Sequence, residues 1–167
     1  EAAFATLASR QVDALLIVGS NPRREAAVLN GRIRKRWRAG AIPIGVIGER
    51  ADLTYPYEYL GAGPQTPADV ASGTHEFGKV LKQAQHPLVI VGMGALARPD
   101  GAAVASLAAR AAQGAGTASW NGYSVLHTAA SRVGALDVGF VPATGGRPDQ
   151  ENAAARAARL GVLLGAG

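Results

Sequence analysis

The residue types with most chemical promise stand in two glycine-bearing turns. Gly19-Ser20-Asn21-Pro22 follows a run of aliphatics and precedes Arg23 and Arg24, so backbone N–H groups, a hydroxyl, a carboxamide and two guanidinium groups come together in sequence. Donors of this kind at the start of a helix suit a phosphate. Gly92-Met93-Gly94-Ala95-Leu96-Ala97 follows a second aliphatic run and fits the G-x-G-x-x-A form of the dinucleotide fingerprint. The fit is partial. Pro99-Asp100-Gly101 interrupts the helix that should leave the glycines, and no Asp or Glu occurs from Ala102 to Leu136 to take the ribose hydroxyls. Gly19, Ser20, Asn21, Gly92 and Gly94 therefore form a candidate, vestigial nucleotide site, with the alternative that the glycines only let the chain leave a sheet without strain.

Other chemistries find little support. The chain has no cysteine, hence no disulfide and no thiolate ligand for a metal or an iron–sulfur cluster. His75 and His86 fall at opposite ends of one expected helix, and His127, though Ser124 and Ser131 stand near it, has no sequence-near carboxylate to complete a triad. Capping or structural roles are the default for all three, and neither a catalytic group nor a metal site is assigned. Tyr55, Tyr57 and Tyr59 alternate in an irregular stretch, as loop tyrosines that close a core edge with wet hydroxyls or as the lining of a pocket.

Charge is concentrated. Residues 23 to 38 carry seven of the 17 Lys and Arg and one of the 12 Asp and Glu, leaving 10 against 11 elsewhere, so the net +5 belongs to one helix. Without interleaved aromatics or a nucleic-acid motif, an acidic protein neighbour is the better partner for Arg34, Lys35, Arg36 and Arg38 than nucleic acid. No apolar run approaches the ~20 residues that cross a bilayer.

The elements that must position these groups follow from periodicity. Residues 3 to 10 read as the tail of a helix. Asp13 to Val18 and Leu88 to Val91 are unalternating aliphatic runs, as in strands buried on both faces of a parallel sheet, and Ile42 to Ile47 is a further strand. Asn21 and Pro22 open a helix to Arg38 whose Ala26, Leu29, Ile33 and Trp37 share one face. Arg36 lies nearest that stripe and needs water or an acceptor. Thr66-Pro67 opens a helix that Gly73 ends, and Thr74 caps another with Phe77, Val80, Leu81 and Ala84 inward. Asp100 caps a helix through Val104, Leu107, Ala108 and Ala111. Thr117 to Trp120 is expected to be a strand, and Asn121 to cap a helix with Leu126, Ala129, Ala130 and Val133 inward. A Gly/Pro-rich connector from Phe140 to Pro148, a last helix and a strand from Gly161 to Gly165 complete the chain. The fold class is α/β: a doubly wound, mostly parallel, Rossmann-like sheet with helices on both faces. Ligands of such sheets bind outside the carboxyl ends of the strands, here the turns at Gly19 to Pro22, Gly48 to Arg50 and Gly92 to Leu96.

These residues also carry a resemblance. Gly19-Ser20-Asn21-Pro22, Arg23, Glu25-Ala26, Leu29-Asn30, Arg32-Ile33-Arg34-Lys35 and Trp37 are similar to the large peripheral-arm subunit (the 75 kDa subunit) of NADH-quinone oxidoreductase, respiratory complex I. The similarity continues through Val46-Ile47-Gly48, Asp52-Leu53-Thr54-Tyr55, Tyr59-Leu60-Gly61, Ala71-Ser72-Gly73, His75, Val80-Leu81-Lys82, Asp100-Gly101-Ala102-Ala103 and Ala135-Leu136-Asp137, in order. It implies an internal piece of a molybdopterin-oxidoreductase-type domain, residues 1–147 forming one Rossmann-like unit and 148–167 opening the second half. It further implies a non-catalytic docking module without a cofactor of its own, iron–sulfur clusters elsewhere in the parent subunit, and other domains and peripheral-arm subunits as partners. The expected place is the cytoplasmic face of a bacterial inner membrane or the mitochondrial matrix side. The chain starts at Glu1 without a methionine and reads as excised from a longer protein. The alternative is the molybdopterin-guanine-dinucleotide-binding domain of a formate-dehydrogenase-like enzyme, in which Gly19, Asn21, Gly92 and Gly94 would touch the nucleotide. An independent nucleotide- or nucleic-acid-binding module is a third reading.

Overall fold

The structure is a computed structural model that describes residues 11–113, 120–129 and 132–138. Packing divides the chain into two compact units, Glu1–Thr128 and Ala129–Gly167. Among the described residues the first unit holds a parallel sheet of β1 Ala14–Val18, β2 Ile44–Ile47, β3 Glu58–Gly61, β4 Pro87–Gly92 and β5 Tyr123–Leu126, in the order β3-β2-β1-β4-β5. Its helices are α1 Pro22–Glu25, α2 Ala27–Arg38, α3 Thr66–Ser72, α4 Glu76–Gln83, α5 Met93–Leu96 and α6 Gly101–Ala111. In the second unit, α7 spans Arg132–Asp137.

The central position of β1 explains its composition. Leu16 pairs with Gly45 on one side and Val89 on the other, and all five residues of the strand are buried. Alternation then separates two apolar layers. Leu15 and Ile17 join Val46, Leu88 and Ile90 under Leu29 and Ile33 of α2. Ala14, Leu16 and Val18 join Val89 and Val91 under Phe77 and Leu81 of α4 and Val104 and Ala108 of α6. Burying each such aliphatic side chain contributes about 1.5–3 kcal/mol, so helices cover both faces as the sequence predicts.

Several local expectations are corrected. The helix from Pro22 to Arg38 is two helices, because Ala26 takes φ −150°, ψ 70° and ends the first after one turn. The tyrosine-bearing stretch is not wholly irregular: Glu58–Gly61 is an edge strand paired with β2, which backbone pairing stabilises despite its weak apolar pattern. No helix starts at Asn121, since Tyr123–Leu126 pairs with Val89–Gly92 as β5; an aromatic and a β-branched residue suit that edge better than the spacing of Leu126 with Ala129 suggested. Trp120 lies before this strand, residues 117–119 of the expected strand lie outside the described residues, and Val133 is 51% exposed rather than inward. His75, not Thr74, caps α4 by accepting the Phe77 N–H at 3.1 Å on Nδ1. Gly73 ends α3 at φ 84°, as its position predicts. The helix expected over 3–10, the expected connector from Phe140 to Pro148, and the last helix and strand expected after it lie outside the described residues.

Candidate functional site

Successive strands run from β1 to β3 in one direction, and the chain then returns to place β4 on the other side of β1. The switch point therefore falls between the carboxyl ends of β1 and β4, where the two glycine turns meet. Gly19, at φ 60°, could not carry a side chain without striking Ala95. A Cβ on Gly92 would lie 2.5 Å from the Gly19 carbonyl oxygen, and one on Gly94 would lie 2.7 Å from it. These glycines are thus required by the close approach of one turn to the other.

Asn21 precedes α1 without a capping bond from its side chain. The N–H groups of Arg24 and Glu25 donate to the Asn21 carbonyl at 3.0 and 2.9 Å, which turns Glu25 back over the start of the helix. Its carboxylate then accepts from Ser20 Oγ at 2.8 Å and from the Asn21 N–H at 2.8 Å. Two of the donors that the sequence offers to a phosphate, the Ser20 hydroxyl and the Asn21 N–H, are held by a carboxylate of the chain itself, and Arg23 is held by Asp52, so a second anion there would meet the Glu25 charge. Asn21 Oδ1 is buried with no hydrogen-bond partner. It is an acceptor, and a phosphate, which brings acceptors, does not complement it.

A cleft of about 630 Å³ opens beside this junction, lined among others by Gly48, Arg50, Tyr59, Gly63, Gly94 and Arg98. Its cations are engaged. Arg98 grips Asp100 through Nε at 2.8 Å and Nη2 at 2.9 Å, and the guanidinium holds that carboxyl below the usual carboxylate range. Asp100 so used makes no side-chain cap to α6, contrary to expectation. Arg50 lies 4.0 Å over the Tyr59 ring.

A second cluster fixes the loop after β2. Arg23 pairs with Asp52 and also donates to the Asp52 carbonyl at 3.0 Å. Asp52 accepts the Thr54 N–H at 2.9 Å; that bond and then the Arg23 guanidinium hold its carboxyl below the usual range. Thr54 sits at φ 72°, a left-handed conformation that a β-branched residue rarely adopts. From α2, the buried Asn30 donates Nδ2 to the Leu53 carbonyl at 3.0 Å. Tyr55 is buried beside them, its hydroxyl without a partner and its ionisation pushed upward by burial. Tyr57 is half-buried, its hydroxyl donating to the Ala51 carbonyl at 2.8 Å. Sequence reasoning missed the joint role of Arg23, Asn30, Asp52 and Thr54; their membership of the resembling segments was the available signal.

On the basic helix, Leu29 and Ile33 are buried and Trp37 is half-buried. Arg36 turns inward, donating Nε to the Val12 carbonyl at 2.9 Å and Nη1 to the Gly40 carbonyl at 2.8 Å. Arg34, Lys35 and Arg38 are exposed around Gly31. His86 meets Trp120 edge to face at 4.6 Å, and His127 Nδ1 is buried without a partner. Among the described residues no three His, Asp or Glu side chains gather as a metal site, and no helix is long and apolar enough to cross a membrane.

A family profile described as molybdopterin oxidoreductase matches residues 7–165. The chain belongs to the molybdopterin oxidoreductase family. Relatives agree on one branch of it. The chain is 45% identical over 132 residues to the NADH-ubiquinone oxidoreductase 78 kDa subunit, mitochondrial, of Neurospora crassa, covering 77% of the chain and 18% of that protein. It is 42% identical over 134 residues to NADH dehydrogenase [ubiquinone] iron-sulfur protein 1, mitochondrial, of Solanum tuberosum, covering 79% and 18%. With an NADH-quinone oxidoreductase subunit of Rickettsia felis it shares 42% identity over 132 residues, covering 78% and 20%. The chain thus spans about a fifth of the length of these relatives. The resemblance drawn from the motifs and the doubly wound fold are both borne out. Within this molybdopterin oxidoreductase fold, the Glu25 carboxylate on Ser20 and the Asn21 N–H places a negative charge where the diphosphate of a guanine dinucleotide cofactor would be held, which disfavours that group at this turn.

Proposed function

We propose that this chain is a structural and docking module within the large peripheral-arm subunit of an NADH-quinone oxidoreductase, and that it does no chemistry itself. Electron transfer from NADH to quinone, and the iron–sulfur clusters that carry it, belong to other parts of the parent assembly. The observation that carries the reading is the Glu25 carboxylate seated on Ser20 and Asn21, since it gives the family's nucleotide turn an internal occupant. The names of the relatives supply the parent complex, which makes the protein peripheral to a membrane with other subunits as its neighbours. Gly19, Ser20, Asn21, Gly92 and Gly94 are on this account the remnant of a nucleotide site, kept because the two turns pack together. Residues 148–167 open the second half of the parent domain.

The formate-dehydrogenase-like reading needs guanine dinucleotide at the same turns, and the free acceptor on Asn21 is the observation in its favour. Purifying the parent polypeptide from its host by an affinity tag separates the two. NADH:quinone oxidoreductase activity and iron–sulfur signals in the purified assembly are the expected result. Bound molybdopterin guanine dinucleotide without that activity would replace this reading by the alternative.

A further inference from the structure

Helix α2 has an outer face that no contact among the described residues explains. Val28, Gly31, Lys35 and Arg38 follow each other at helical spacing, with Arg34 alongside, and all five are exposed. Val28 is 70% exposed. A Cβ on Gly31 would meet nothing within 4 Å, so no contact inside the described chain asks for glycine there. Glycine in a helix interior costs about 1 kcal/mol relative to alanine. The cations are also unspent: Arg23, Lys79 and Arg98 each have a carboxylate partner, whereas Arg34, Lys35 and Arg38 have none among the described residues.

The opposite side of the same helix is fixed. Leu29 and Ile33 are buried in the core, Asn30 is bonded to Leu53, and Arg36 ties the carboxyl end to Val12 and Gly40. The outer face is therefore presented rigidly, and binding against it orders little of this chain. Its two halves differ in chemistry. Val28 and Gly31 are uncharged with the exposed Arg32 flanking them, and Arg34, Lys35 and Arg38 follow as a cationic half. A phosphate lattice, whether lipid or nucleic acid, would use these cations but gain nothing from a bare glycine or an exposed valine among them. A protein helix crossing at Gly31 uses both halves, because a missing side chain lets two helix axes approach closely.

We propose that the outer face of α2 seats an acidic helix of a neighbouring polypeptide in the same assembly, crossing at Gly31. The partner sets small or apolar side chains over Val28 and Gly31 and carboxylates over Arg34, Lys35 and Arg38. This names a partner class and rests on the docking reading above, with Arg36 assigned to the fold instead of the interface and with Val28 and Gly31 added.

The test uses the full parent polypeptide in its purified assembly, with Val28 replaced by the photo-crosslinker p-benzoylphenylalanine. The expected product joins position 28 to a helical segment of another chain that carries several Asp or Glu within two turns. Arg34→Glu/Lys35→Glu in the same background lowers the yield by about tenfold or more, since like charges then face each other. The milder Arg34→Gln/Lys35→Gln gives a smaller loss, and converting the partner's acids to lysine restores the yield with the Glu pair. No product, a product with lipid or nucleic acid, a product with a neutral or basic segment, or a yield indifferent to charge reversal would each overturn the proposal. NADH:quinone activity of the same preparation reports on the parent assembly separately, so failure of that reading and failure of this one are distinguishable.

Discussion

At the scale of single residues, hydrogen bonds within the chain decide what the candidate site can do. Ser20 and Asn21 are legible in the sequence as phosphate donors by type, but Glu25 returns to them only because Ala26 breaks the helix after one turn, and that break has no Gly or Pro to announce it. Asp52 was legible only as part of a resembling motif; its bonds to Thr54 and Arg23 depend on a loop that returns from the far end of β2. Because its folded pKa is depressed, the stabilisation from Asp52 is fully present at neutral pH and is lost as pH falls through the carboxylate range. Asp52→Asn should therefore lower the melting temperature at pH 7, with the gap to the parent chain closing below about pH 4 in a pH series of thermal scans. Tyr55 gives the opposite kind of expectation. Its buried hydroxyl has no partner, so Tyr55→Phe removes an uncompensated polar group and should leave stability unchanged or raise it by about 1 kcal/mol in denaturant unfolding. A loss above about 1 kcal/mol would show that the hydroxyl is bonded after all.

Among the elements, α2 was the most legible, because the 3.6-residue spacing of Leu29 and Ile33 sets the buried face whatever the tertiary context. Ile33 is fully buried and Trp37 is not. Ile33→Ala should cost about 2–5 kcal/mol, and Trp37→Ala should fall short of the 3–5 kcal/mol of a fully buried ring, which chemical denaturation of the two variants can rank. Gly31→Ala should stabilise the chain by roughly 0.5–1 kcal/mol, since the added methyl meets nothing and the helix gains propensity. The edge strands were the least legible. β3 and β5 are four residues each and only partly buried, and they exist because a neighbouring strand offers backbone partners, a long-range cause that leaves little pattern in the strand itself. In the second case the spacing of Leu126, Ala129 and Val133 imitates a helix face, while pairing with Val89–Gly92 prevails.

For the whole molecule, the layer order follows from β1. A central parallel strand must be apolar on both faces, so the two layers beneath α2 and beneath α4 and α6 could be anticipated from its composition. What the composition of separate turns cannot convey is that Gly92 and Gly94 press on the carbonyl of Gly19, for their meeting depends on β4 lying next to β1. That meeting packs the two turns against each other beside the cleft that Gly19 and Gly94 line, with the Glu25 carboxylate on Ser20 and the Asn21 N–H. On that arrangement rests the proposal that the domain is a scaffold without a cofactor of its own. Calorimetric titration of the chain with GDP, molybdopterin guanine dinucleotide and NADH at low salt tests this most directly. No saturable heat with any of the three is the expected result. Saturable binding of the guanine ligands that is lost with Asn21→Ala or Gly94→Ala would contradict the account and restore the switch point as a working nucleotide site.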